Sequence, residues 1–121
     1  MKALLLSLLL LIPSAASAWE DWDQETKTMF VASSIAITAD WATTRNMTRR
    51  YDEGYRELNT ILGPYPSRDR VDAYMIGMLV TNYFITDWLP EEYRIFYLGV
   101  RTIAHGSAAN NNMNIGLKLQ F

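Results

Sequence analysis

The stretch VDAYMIGMLVTNYFITDWL, Val71 to Leu89, decides the fold. Wound as a helix, it sets Val71, Met75, Met78 and Ile85 on one side and Ile76, Val80 and Phe84 on another. Apolar residues therefore surround it rather than line one face, and such a helix sits either at the centre of a large core or in a membrane. Just upstream, Ser67 is placed to cap the free amides, and Asp69 falls in the first turn, where the dipole favours negative charge. A chain of 121 residues makes one domain at most. It is too small to enclose this helix well, so the pattern predicts a membrane helix over 68–89.

A second helix follows almost without a linker. LPEEYR offers Pro90 for the first helical position and Glu91 and Glu92 for the positive end of the dipole. The apolar run IFYLGVRTIAHGSAA then fades near Gly106, giving a helix over 90–108. So short a connection predicts an antiparallel hairpin with its predecessor. An earlier helix, over 24–45, opens where Asp21 with Gln24, or Asp23 alone, can cap it. Met29, Phe30, Val31, Ile35, Ala36, Ile37 and Ala39 encircle it, interrupted only by small Ser and Thr. A long polar loop from Arg45 to Arg70, broken by LGPYP, separates it from the central stretch. The tail MNIGLKLQF alternates Ile115, Leu117, Leu119 and Phe121 with polar or small residues. That is a strand period, so a short extended tail or lone edge strand is expected. The fold class predicted is thus all-α, a single three-helix domain over 19–121.

Residues 1–18 read as a cleavable signal peptide. Lys2 supplies the positive start, Leu4 to Ile12 the apolar core, Pro13 a break, and Ala16-Ser17-Ala18 the small-residue cleavage site. Cleavage before Trp19 would leave the mature chain starting outside the cytoplasm.

The charges between the apolar segments alternate. Glu20, Asp21, Asp23 and Glu25 precede the first helix, and Arg45, Arg49, Arg50, Arg56, Arg68 and Arg70 fill the loop after it. The hairpin tip is acidic again, with Asp87, Glu91 and Glu92. Cytoplasmic loops of membrane proteins carry the excess of Lys and Arg. Three transmembrane helices with the arginine loop inside and the acidic ends outside satisfy that rule and the signal peptide together. Trp19, Trp22 and Trp88 then fall at the outer interface and Trp41 near the inner one. The expected location is the inner membrane, the alternative being a soluble periplasmic three-helix bundle.

Several function classes are excluded or disfavoured by composition. Without cysteine there is no disulfide framework, Cys-based zinc site or thiol catalysis, and a single histidine builds no multi-His metal centre. The net charge of -2 gives no reason to expect nucleic acid. No serine stands in a nucleophile motif, so no catalytic residue, metal or cofactor is predicted and the chain is not expected to be an enzyme. The lipid membrane is the expected partner, with a host envelope protein as a further one. Ionisable residues inside a span mark a functional site by default. Counting helical rise places Asp40, Asp72 and His105 near one level, with Thr44 a turn below Asp40. Arg101 lies on the stripe of Arg94 and His105 and is expected to meet Asp40 or backbone carbonyls. This cluster would hold a proton, ion or small polar ligand, or else would fix the register of the helices.

ADWATTR followed by YRELNTILGPYPSRDRVDAY resembles small membrane-associated proteins of tailed phages and prophages of Gram-negative bacteria. The similarity lies in Asp40 and Thr44, then Glu57, Asn59, Leu62, Gly63, Pro66 and Ser67, with Thr60 where that pattern often has proline. The resemblance implies a three-span helical envelope protein, assigns no catalytic residue, and adds Glu57 and Asn59 to the polar site of Asp40 and Thr44. A non-enzymatic protein that binds or modifies a host membrane component is the leading expectation. A lysis-associated or pore-forming protein and a soluble periplasmic binding module, such as a wall-enzyme inhibitor, are the alternatives.

Overall fold

A computed structural model describes residues 18–121, and the expected signal segment 1–18 lies outside them except for Ala18. Among the described residues the chain is helical throughout, with no strand. Three long helices carry the fold: α1, Gln24–Met47; α2, Arg68–Trp88; and α3, Glu91–Asn114. A short 3-10 turn, Tyr51–Glu53, begins the loop between α1 and α2.

The start signals act as their chemistry dictates. Asp23 rather than Asp21 caps α1, its Oδ1 accepting from the Thr26 amide at 2.7 Å. The Ser67 hydroxyl accepts from the Arg70 amide at 3.2 Å and caps α2. Leu89 and Pro90 turn the chain between α2 and α3. The turn is closed by Arg94, whose guanidinium donates to the carbonyls of Leu89 and Asp87.

The direction of each helix follows from its cross-links. On α1 and α2, Trp22 meets Asp87, Ser33 meets Asn82 and Trp41 meets Asp72, so the two run antiparallel. On α1 and α3, Asp40 meets His105 and Thr43 meets Asn112, so these run parallel. The second and third helices are therefore antiparallel, as their short connection requires. They do not, however, form a tightly packed hairpin. Both pack chiefly on α1, which is the central element, and α3 touches α2 only lightly. The stretch that looked most buried in sequence belongs to a flanking helix.

Two expectations about the ends need correction. The third helix does not fade near Gly106 but runs on to Asn114. Buried Ala109 and the bond from Asn112 Nδ2 to Thr43 Oγ1 at 3.0 Å hold this polar extension against α1. It ends in a Schellman turn, with Leu117 N bonded to the Asn112 carbonyl and Gly116 N to that of Met113, and with Gly116 at a φ of 104°. The tail beyond is not a strand. It lies along α1, with Leu117 buried, Phe121 edge-on to the Trp41 ring at 5.2 Å, and the main chain of Lys118 donating to Asn46 Oδ1.

No helix among the described residues is long and apolar enough to cross a membrane. Each has the necessary length, about 30 Å or more at 1.5 Å per residue. What dilutes the apolarity is charge, such as Asp40, Asp72, Asp87, Arg94 and Arg101, together with Ser, Thr and Asn, and these last have a definite place. Thr26, Ser33, Thr43, Thr44, Asn82 and Thr86 are buried between the helices, while Ile35, Phe96, Val100 and Ile103 are exposed. The bundle has a polar seam and an apolar exterior. Its small apolar core is Ile37, Val71 and Met75, flanked by Trp41, Tyr74, Met78 and Leu79.

Candidate functional site

Asp40 sits on the α1 face that meets α3 and is 8% exposed. Its Oδ2 lies 2.7 Å from His105 Nδ1, and its Oδ1 accepts from the Thr44 hydroxyl one turn on at 3.3 Å. With the carboxylate ionised, Nδ1 must carry the proton and donate. The sequence placed Asp40, Asp72 and His105 near one level with Thr44 a turn below Asp40, and the structure brings His105 and Thr44 onto the Asp40 carboxylate. The helical spacing of four puts Thr44 on the same face as Asp40, and the parallel course of α1 and α3 delivers His105 to it.

Asp72 and Arg101 go elsewhere. Asp72 accepts from Trp41 Nε1 at 2.8 Å and lies 3.0 Å from Arg45 Nε. The latter contact is ionic rather than a directed hydrogen bond, since no hydrogen-bond partner satisfies that nitrogen. This triad ties α1 to α2 on the side away from His105. Arg101, expected at Asp40 or on carbonyls, instead points Nη2 at Met78 Sδ, 3.1 Å away, with Nε buried and unbonded. Seven residues separate Arg94 from Arg101 but only four separate Arg101 from His105. A spacing of four leaves Arg101 and His105 neighbours on one side of α3, yet the long Arg101 side chain reaches Met78 on α2 while His105 reaches Asp40 on α1.

Glu57 and Asn59 join Asp40 through the loop, and each also has work within it. One Glu57 oxygen, Oε1, accepts from the amides of Leu58 and Asn59 at 2.9 and 2.8 Å. Asn59 Oδ1 accepts from the Ile61 amide, an Asx turn, and its Nδ2 donates to the Tyr74 hydroxyl at 3.0 Å. Leu62 is buried, Gly63 takes a φ of 80°, the Pro66 carbonyl accepts from the Tyr51 hydroxyl, and Ser67 caps α2. Every residue of the Glu-x-Asn, Leu-Gly, Pro-Ser pattern thus shapes the loop and the start of α2.

The folded loop encloses a cavity of about 280 Å3 against α1 and α3. Asp40, Arg56, Glu57, Asn59, Asn111 and Asn112 supply its polar lining, with Met47, Leu62, Met75 and Ile115 among the apolar residues. Arg56, Asn111 and Asn112 escaped the sequence reading. The two asparagines lie beyond the point where α3 was expected to fade, and Arg56 was counted only as one of the loop's cations. The run of three asparagines, Asn110 to Asn112, on a helix held at both ends was the available signal.

At the same end of the bundle, Arg45, Arg49 and Arg50 bind the chain itself. Arg45 stacks over the Phe121 ring, Arg49 donates to the Phe121 main-chain oxygen, and Arg50 bridges Glu53 and the Gly116 carbonyl. Glu53 is held below its ordinary carboxylate range by the hydrogen bond from Arg50, and Arg50 is raised by the same contact. Among the described residues, no group of three or more acidic or imidazole side chains is arranged to hold a metal ion. Compared with protein-family models, curated proteins and solved structures, the chain matches none.

Proposed function

We propose that the chain is a small exported envelope protein that sits at the inner membrane of a Gram-negative bacterium and binds a membrane component without catalysis. The observation that carries this reading is that apolar helix faces are exposed while polar side chains share the interior with the apolar core. Ile35 is 65% exposed, Phe96 75% and Ile103 70%, whereas Thr26, Ser33, Thr43, Asn82 and Thr86 are fully buried. Isolated apolar residues on a surface are ordinary, but a helix face built of them marks contact with lipid or protein. On α3, Phe96, Val100 and Ile103 share such a face, as Ile76, Val80 and Phe84 do on α2. The hydroxyls of Ser33, Thr43 and Thr86 donate to carbonyls one turn back, while the buried Thr26 Oγ1 has no hydrogen-bond partner. Small polar residues of this kind let helices approach closely in a membrane. The balance of charge leans the same way, six arginines outnumbering Asp52, Glu53, Glu57 and Asp69 over 45–70, and Asp21, Asp23, Asp87, Glu91 and Glu92 outnumbering Arg94 at the other end.

The family context we propose is the phage and prophage envelope proteins that the Asp-Thr and Glu-x-Asn pattern resembles. A soluble periplasmic binding module is the second reading. What favours it is the shortfall in apolarity of every described helix. Fractionation separates the two. The first reading expects the full chain, tagged and expressed in a Gram-negative host, to remain with membranes after alkaline carbonate washing. Release by osmotic shock would overturn it in favour of the second.

A further inference from the structure

The cavity beside Asp40 is lined by both signs of charge. Buried Asp40, half-buried Glu57 and exposed Arg56 line it, together with apolar Met47, Leu62 and Met75. Neither carboxylate is used up by the protein. Asp40 Oδ1 takes Thr44 and Oδ2 takes His105, yet each carboxylate oxygen accepts about two hydrogen bonds. Glu57 meets the loop amides through Oε1, and that turn leaves Oε2 unused. Both carboxylates therefore keep lone pairs that a further N–H donor in the cavity could use. At about 280 Å3 the space falls at the small end of ligand sites, which run roughly 300–1,000 Å3.

We propose that this cavity binds a small zwitterion, an ammonium joined by a short linker to an anionic group. The ammonium donates to Asp40 and Glu57, the anionic group meets Arg56, and the linker lies on the methionines. His105 and Thr44 act as positioning residues that hold the Asp40 carboxylate toward the cavity. Such a group occurs free in solution or as the headgroup of a phospholipid. Only the headgroup source rests on the membrane reading above.

The test titrates the purified full chain with phosphoethanolamine, followed by calorimetry or ligand-observed NMR. Ethanolamine and inorganic phosphate, each carrying half of the charge pattern, are the matched controls. Saturable binding is expected, weakened roughly tenfold or more when either half alone is offered and in each of Glu57→Gln and Arg56→Gln. E57Q keeps an oxygen for the Leu58 and Asn59 amides, so the loop is retained, which amide exchange verifies. A second arm asks whether vesicles of phosphatidylethanolamine compete with the soluble probe better than vesicles of phosphatidylcholine, whose headgroup lacks the N–H donors. Competition assigns the lipid as source, and its absence beside soluble binding assigns the free molecule. No saturation by the soluble probe, equal binding of a single-charge control, or unchanged binding in both variants would overturn the proposal. None of these outcomes depends on where the protein fractionates.

Discussion

At the scale of single residues, the contacts that define the bundle are few and separable. Gly116 illustrates the backbone kind. Its φ of 104° is a conformation that L side chains rarely adopt, and an added Cβ would come within 2.7 Å of the Tyr55 hydroxyl. That hydroxyl is itself fixed by a bond to the Ile115 carbonyl. Gly116→Ala should therefore destabilise by about 1–3 kcal/mol in chemical denaturation. Adding Tyr55→Phe should recover only the steric part, because the backbone strain persists. Asp40 and His105 illustrate the buried polar kind. Removing one partner of a buried hydrogen-bonded pair leaves the other unsatisfied and typically costs about 1–3 kcal/mol, whereas replacing both by apolar groups costs far less. Asp40→Ala should thus destabilise more than the double change of Asp40→Leu with His105→Leu, by the same measurement. Asp23 is a titrating cap. The hydrogen bond from the Thr26 amide holds its pKa below the ordinary value of 3.8. A depressed carboxylate adds stability above its unfolded pKa, and that stability is lost as pH falls through the folded value. Asn caps without titrating, so Asp23→Asn should flatten the acid limb of the unfolding midpoint below about pH 5.

At the scale of elements, the starts of helices were legible in the sequence and their ends were not. Asp23, Ser67 and Pro90 act through local chemistry, which a sequence carries in full. The end of α3 depends on what α1 offers it. Asn110 to Asn114 have poor helical propensity, yet Ala109 and Asn112 dock on α1 and carry the helix through. The polar site divides in the same way. Spacing of four along one helix correctly joined Asp40 to Thr44, and equal depth correctly paired Asp40 with His105. Depth says nothing about azimuth, and that is why Asp72 was grouped with residues it does not touch, while Arg101 shares the stripe of His105 but reaches past Asp40 to Met78. The tail is the clearest element-scale case. Its alternation suggested an edge strand, but the same alternation turns Leu119 and Phe121 toward α1 while Lys118 and Gln120 face the arginine side. Leu117, 3% exposed, anchors it. Leu117→Ala should cost about 2–5 kcal/mol, as a buried leucine does. An unanchored tail would lose little, and thermal unfolding distinguishes the two.

At the scale of the whole molecule, the exposure of apolar helix faces beside a polar seam has a consequence that local substitutions do not. In a water-soluble bundle, exposed Ile35, Phe96 and Ile103 contribute little to folding, and their replacement by serine raises solubility without affecting location. In a bundle whose exterior meets acyl chains, the same three side chains hold it in place, each fully buried apolar side chain being worth roughly 1.5–3 kcal/mol. Mean hydropathy cannot distinguish these cases, because it averages the exterior with the seam of Ser33, Thr43, Asn82 and Thr86. The triple substitution I35S/F96S/I103S can. It leaves the Asp40–His105 contact and the α1–α2 ties untouched, so the helical content of the detergent-solubilised chain should be unchanged by circular dichroism. Under the membrane reading, the variant should shift from the carbonate-washed membrane pellet to the soluble fraction while the unsubstituted chain stays behind. A matched triple change in the seam, S33L/T43L/T86L, should do the reverse, overpacking the interface between helices and lowering helical content. Equal partitioning of the exterior variant and the unsubstituted chain would mean that the apolar faces meet something other than lipid.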